Sequence, residues 1–167
     1  MNWRTFIWDS KYKRLAAIAG LVVLLDQLSK AIILKSVPLH QSIPVIPGFF
    51  DITLILNPGG AFGFLAGQHS NLRHLFFLGV TSMAICFIVI LYRKIPQTHS
   101  LLAMAFALIV GGAVGNLIDR LRLEKVVDFL DFYLGKYHWP AFNVADSAIS
   151  VGMVIFICHI IFNKMPD

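Results

Sequence analysis

The sequence predicts an all-α membrane protein: four transmembrane helices carrying a small extracytoplasmic β-sheet. Three observations lead there. Of the 167 residues, 57% are hydrophobic and only 14% charged, with a mean hydropathy of +0.75, well above that of an ordinary soluble domain. Four apolar stretches, about 15–34, 75–92, 101–118 and 145–162, approach or reach the roughly 20 residues a helix needs to cross a bilayer. The connections at 35–74 and 119–144 are long and the one at 93–100 is short, so one side of the membrane is elaborated. Little chain is left for a separate soluble unit, and residues 1–167 are expected to form a single integral membrane domain.

Taken in order, the first span carries Asp26 and Lys30 and is followed by "SVPLHQ" rather than a small-x-small cleavage site. It is therefore expected to be retained rather than removed as a leader. In the next connection, "FFDITLILN" (49–57) is rich in aromatic and β-branched residues and is bounded by Pro47-Gly48 and Pro58-Gly59, the pattern of a strand between turns. A small sheet on the membrane surface follows. Span three contains Gly111 and Gly115 as G-x-x-x-G, a close helix-packing face. The connection 119–144 leads into span four through "FNVAD".

Charge sets the orientation. Arg4, Lys11, Lys13 and Arg14 precede span one, Arg93 and Lys94 follow span two, and Lys164 follows span four, which puts both termini in the cytoplasm by the positive-inside rule. The net charge of +5 does not indicate nucleic acid, because the basic residues flank spans instead of forming an aromatic-interleaved stripe. Cys86 and Cys158 lie inside apolar spans and say nothing of redox compartment. The six histidines show no ligand-type spacing, so no metal or other cofactor is expected.

The costly polar residues converge on one depth. Asp26 and Lys30 lie in the second half of span one, Asn116, Asp119 and Arg120 at the end of span three, and Asn143 and Asp146 at the start of span four. Because consecutive spans alternate in direction, these groups gather at the outer leaflet. A charged residue at a helix centre costs about 2.5 to 3.5 kcal/mol on insertion scales, so its retention calls for a reason. Each has a plainer reading beside the functional one. Asp26 and Lys30 are spaced i, i+4 as an intrahelical ion pair with Lys30 snorkelling outward. Asn116, Asp119 and Arg120 share a helical face and could simply finish span three, while Asn143 and Asp146 have the spacing of a capping box. Asp131 reads as a solvated loop carboxylate. Asp128, between apolar neighbours in "VVDF", has no such alternative.

Two carboxylates in a partly dry site cannot both ionise easily, so one keeps a proton while the other activates water. Asp128 and Asp146 offer that chemistry. Rival nucleophiles are weaker: there is no G-x-S-x-G, and adjacent Ser29 and Lys30 point about 100° apart on a helix. A proton-coupled transporter or a scaffold subunit would also place carboxylates in a membrane, but a transporter should distribute them through its depth.

Five ordered blocks, "DQLSK" (26–30), "NPGGAF" (57–62), "GGAVGNLIDR" (111–120), "VVDF" (126–129) and "FNVAD" (142–146), resemble the lipoprotein signal peptidase (signal peptidase II) family across most of the chain. One departure is Gly60, where the family commonly has Ala. The resemblance implies an extracytoplasmic β-cradle on four helices of the bacterial inner membrane. It implies an aspartyl endopeptidase that removes signal peptides from prolipoproteins just before a diacylglyceryl-modified cysteine. Asp128 and Asp146 match the catalytic pair; Asp26, Lys30, Asn57, Gly59, Asn116, Asp119, Arg120 and Asn143 match supporting or substrate-binding positions. The implied partners are lipid-modified precursors, membrane lipids and globomycin-type inhibitors, with the site toward the outer face. The N-terminus of span four favours Asp146 as the ionised member and leaves the proton on Asp128.

Overall fold

The computed structural model of the chain describes residues 10–59 and 70–162. The four apolar stretches are four helices long and apolar enough to cross a membrane: α1 (Ser10–Ser36), α2 (Ser70–Lys94), α3 (Ser100–Leu123) and α4 (Val144–Phe162). Each begins before its apolar core, and α1, α2 and α3 also run past theirs, because polar residues continue a helix once it leaves hydrocarbon. The largest excess is in α3, which continues to Leu123 and ends with Glu124 at φ 57, its N–H bonding back to Arg120 O at 3.0 Å. Residues 119–123 are thus helical rather than part of a connection.

Helix α3 is the centre of the bundle: thirteen of its residues are buried, against four in α1 and three in α4. Glycines make this possible. A Cβ on Gly111 would lie 2.9 Å from Ala19 Cα in α1, and one on Gly112 would run into the Ala145 carbonyl in α4. On α4, a Cβ on Gly152 would lie 2.7 Å from Ala105 O. The expected packing face is present, and it serves two neighbours rather than one.

The sheet is antiparallel, ordered β1 (Ser42–Ile46), β2 (Phe50–Asn57), β3 (Val126–Leu134) and β4 (Tyr137–His138). Gly48 (φ +83) and Gly135 (φ +61) make the turns of its two hairpins, where a left-handed residue is required. Leu54 and Val127 pack with Val37 over the end of α1 and seat the sheet there. Since alternate residues face opposite ways, Val126 and Asp128 point to the other side of β3, and Asn57, paired with Val126, shares that side. The β2–β3 register shifts by one residue between Ile52 and Ile55. The strand expected at 49–57 is β2; β3 lies within the stretch read as a connection. Its first four residues are all buried, so it lacks the alternation that marks a half-exposed strand.

Gly60, Ala61 and Phe62 of the second block, His69, and the flanking Arg4 and Lys164 lie outside the described residues.

Candidate active site

Strands β2 and β3 and helices α1, α3 and α4 meet at the sheet end of the bundle. Asn143 is the N-cap of α4: its Oδ1 accepts the Asp146 N–H at 2.9 Å, and Asp146 Oδ2 accepts the Asn143 N–H at 3.3 Å. This is the reciprocal capping box the spacing allows. The capping and functional readings hold together, because both side chains have a second partner. Asn143 Nδ2 donates to Asp128 Oδ1 at 2.7 Å, and Asp146 Oδ1 accepts from Asn116 Nδ2 at 2.8 Å. The other Asp128 oxygen, Oδ2, accepts from Asn57 Nδ2 at 3.0 Å.

The amide orientations follow from the network. Asn116 Oδ1 accepts from Lys30 Nζ at 3.0 Å and from Asn143 Nδ2 at 3.3 Å, so its nitrogen must face Asp146. Asn57 Oδ1 accepts the Gly59 N–H at 3.0 Å, so its nitrogen must face Asp128. Neutral donors therefore hold both carboxylates without cancelling their charge.

Behind this layer lies a buried ionic one. Lys30 Nζ is 2.8 Å from Asp26 Oδ2 and 2.8 Å from Asp119 Oδ2, and its side chain is 2% exposed. The outward snorkelling expected of Lys30 does not occur. Helical spacing supplied one carboxylate, and α3 supplies a second, which holds the ammonium inward. Gln27 Nε2 bonds both carboxylates and the Gly115 carbonyl. Gln27 sits inside the first block but carried no charge or periodic signal to single it out.

Asp128 and Asp146 both line a cleft of about 540 Å³, with Asn57, Asn116 and Arg120. Trp139, Phe142 and Ile149 give it an apolar wall. The Arg120 guanidinium is half-buried, lies over the Phe77 ring at 5.2 Å from its centroid, and acts electrostatically on Asp146, Asp128 and Asp119. Asp128, on β3, is 3% exposed. Burial, and next the negative charge of Asp146, push its carboxyl up from 3.8 to about 7, against the amide donors of Asn57 and Asn143. A carboxylic acid that holds its proton near neutrality beside a second carboxylate can do general acid–base work on a peptide bond.

Nine of the ten sequence-expected residues lie in this cleft or the ionic layer behind it, and the tenth, Asn143, is fully buried between them, bonded to Asp128 and Asn116. Asp131 does not belong there. It is a strand residue rather than a loop carboxylate, and His138 Nδ1 lies 3.0 Å from both its oxygens.

A family model described as signal peptidase (SPase) II matches residues 18–162. A lipoprotein signal peptidase of Desulforapulum autotrophicum is 56% identical over 167 residues, covering 100% of this chain and 99% of the relative. One from Syntrophus aciditrophicus is 50% identical over 143 residues, covering 86% and 89%. Among solved structures, one titled as a bacterial membrane enzyme is similar with a TM-score of 0.80 at 34% identity, covering 92% of each chain.

Proposed function

Since the chain belongs to the signal peptidase II family of aspartyl proteases, we propose that it cleaves prolipoprotein signal peptides through water activated by Asp128 and Asp146. The observation that carries this reading is the pair of amide bridges. Asn143 links the start of α4 to Asp128, and Asn116 links α3 to Asp146, so that two carboxylates from separate elements border one cleft.

In the proposed reaction Asp128 holds the proton, consistent with its raised pKa, and Asp146 accepts a proton from water as the water attacks the scissile carbonyl. Asp128 donates to the carbonyl oxygen, giving a tetrahedral diol. Collapse breaks the C–N bond as Asp146 gives its proton to the leaving amine and a diol hydroxyl returns one to Asp128, so the pair again holds one proton. Arg120 offers a fork of donors to substrate carbonyls. The substrate is a precursor whose cysteine carries a diacylglyceryl group, with acyl chains in the surrounding lipid and the apolar wall of Trp139, Phe142 and Ile149 beside the peptide. The enzyme sits in the bacterial inner membrane, both termini cytoplasmic and the cleft toward the outer face. Globomycin-type inhibitors occupy the cleft against Asn57, Asn116 and Arg120.

Purified protein given diacylglyceryl-modified and unmodified precursors tests this reading. Cleavage of the modified precursor, blocked by globomycin and lost in Asp128→Asn and in Asp146→Asn with the fold retained, is the expected result. Turnover surviving in either variant would remove the aspartate-pair mechanism, and equal cleavage of the unmodified precursor would remove the lipid requirement.

A further inference from the structure

One bonding pattern occurs twice beneath the cleft. Asp26 Oδ1 accepts the Ala145 N–H at 2.9 Å, and Ala145 immediately precedes Asp146. Asp119 Oδ2 accepts the Val127 N–H at 3.1 Å, and Val127 immediately precedes Asp128. Lys30 Nζ joins the two accepting carboxylates at 2.8 Å each, and Gln27 Nε2 spans them again at 3.1 Å to Asp26 Oδ2 and 2.9 Å to Asp119 Oδ1. Asp26, Lys30 and Asp119 are 0%, 2% and 2% exposed.

We propose that Lys30, with Asp26 and Asp119 as its two arms, is a yoke that fixes the separation of Asp146 and Asp128. The three are positioning residues that do not touch substrate, and the proposal rests on reading Asp128 and Asp146 as the reacting pair. The stoichiometry argues for it. Burying one ammonium with two carboxylates leaves a net negative charge in a dry place, an expensive arrangement if the aim were only to tie α1 to α3. One carboxylate would serve that purpose, whereas each of two adjacent reacting residues needs its own arm. The bonds are also suited to the task. The Ala145 N–H is one of the first-turn donors of α4 that lack an intrahelical partner, and Asn143 caps a different one. Bonds from a backbone N–H to a carboxylate are roughly twice as strong as neutral ones.

Separation matters because the coupling between two carboxylates falls with distance, and that coupling sets how far apart their two titrations lie. The charges facing the pair are Lys30 and Asp26 from α1 and Arg120 and Asp119 from α3. Lys30→Arg and Asp119→Glu keep every one of these charges and alter the reach of the yoke; Lys30→Arg also alters the donor to Asn116 Oδ1, which Asp119→Glu leaves in place, so a change in the pH profile shared by both variants reports geometry.

The experiment measures kcat, KM and the pH–rate profile of the full-length enzyme in detergent for Lys30→Arg and Asp119→Glu, with Asp128→Asn alongside. The expected result is a kcat lowered about 10- to 100-fold, as for a misplacement near 1 Å, with KM little changed and a narrower bell. A folded variant whose bell keeps the wild-type width overturns the yoke, whatever its kcat. Amide exchange on the wild-type enzyme needs no variant: Val127 and Ala145 should be strongly protected, and exchange of either at the rate of an exposed loop overturns the proposal. If Asp128→Asn remains active, the aspartate-pair reading fails; if it is inactive while the bell in Lys30→Arg is unmoved, the yoke alone fails.

Discussion

Helix α1 buries two lysines, one near each end, and they are bonded in opposite ways. Lys11, 8% exposed, donates to the backbone carbonyls of Arg93 at 3.1 Å and Ile95 at 2.6 Å, and lies over the rings of Tyr12 and Tyr92. Tyr92 returns a bond from its hydroxyl to the Lys11 carbonyl at 2.7 Å. That end is closed by Tyr92, Ile95, Leu102 and Phe106. Lys30, at the sheet end, has two carboxylates and a side-chain amide instead. Among the described residues Lys11 meets dipoles, including the negative end of α2, and fastens helix to helix. Lys30 uses it on ionised groups that in turn hold backbone beside the proposed reacting pair. A buried charge therefore reveals a functional region less by being buried than by what its partners go on to hold.

The largest difference should appear on removing each ammonium. Lys30→Met leaves two carboxylates buried without a counter-ion, a change of the kind that costs about 3–5 kcal/mol or more. Lys11→Met loses the bonds from a charged donor to the Arg93 and Ile95 carbonyls, about 1.5–3 kcal/mol, and keeps an apolar stem among aromatic rings. Unfolding in detergent micelles would measure both. The folded fraction of Lys11→Met should cleave at the wild-type rate; equal losses of stability, or impaired cleavage in folded Lys11→Met, would break the comparison.

The same contrast explains what the sequence could reveal. The four spans were legible because crossing hydrocarbon demands length and apolarity, both of which are local properties. The convergence of Asp26, Asn116, Asp119, Asn143 and Asp146 followed from the alternating direction of the spans. The role of Lys30 was not legible: i, i+4 spacing offered Asp26, whereas Asp119 arrives from another helix through close packing at Gly115. Strand β3 was hidden for a related reason. Both faces of its first half are covered, one by α1 and one by the cleft, so its aspartates interrupt an apolar run instead of alternating with it. Lys11 read only as an orientation signal, since nothing local distinguishes a lysine at a membrane surface from one capping a neighbouring helix.

A pH titration sharpens the contrast next. The folded-state pKa of Asp128 is raised from 3.8 to about 7, so between those values the folded protein binds more protons than the unfolded chain. Its contribution to stability is fully present below about pH 4 and is lost as pH rises toward 7, with a limiting slope of about 1.4 kcal/mol per pH unit. Asp128→Asn should remove that slope. The difference between the two stability curves, wild type minus variant, should fall from pH 4 to pH 7. A flat or rising difference would show that Asp128 is ionised in the resting fold.

A smaller effect distinguishes the glycines. A Cβ at Gly115 would lie 2.6 Å from Asp26 Oδ2, and that oxygen is pinned by Lys30 and Gln27. Gly115→Ala should therefore cost about 1–3 kcal/mol and lower cleavage in the folded enzyme. Gly79 of α2 has nothing within 4 Å of its added Cβ, and Gly79→Ala should be neutral or stabilising by up to about 1 kcal/mol, with cleavage intact. Wild-type turnover in Gly115→Ala would show that Asp26 can shift without moving Asp146.

The smallest effect is expected three residues from the site, on the same strand as Asp128. Asp131 pairs with His138 at 3.0 Å, but the His138 side chain is 51% exposed and Asp51 stands directly opposite in the β2–β3 register. An exposed pair contributes about 0–1 kcal/mol, and relief of the like-charge pair across the strands offsets part of its loss. Asp131→Asn should thus change stability by no more than about 0.5–1 kcal/mol, with kcat and KM as in the wild type, whereas Asp128→Asn abolishes cleavage. The comparison is demanding because the two positions share a strand, a residue type and a substitution, and differ in what surrounds them. Asp128 faces the cleft with its oxygens held by the amides of Asn57 and Asn143; Asp131 pairs with exposed His138. If Asp131→Asn lowers kcat, then the His138 clasp must transmit to the cleft, and the adjacent Trp139, whose N–H bonds Phe132 O at 2.7 Å, is the route by which β4 would do so.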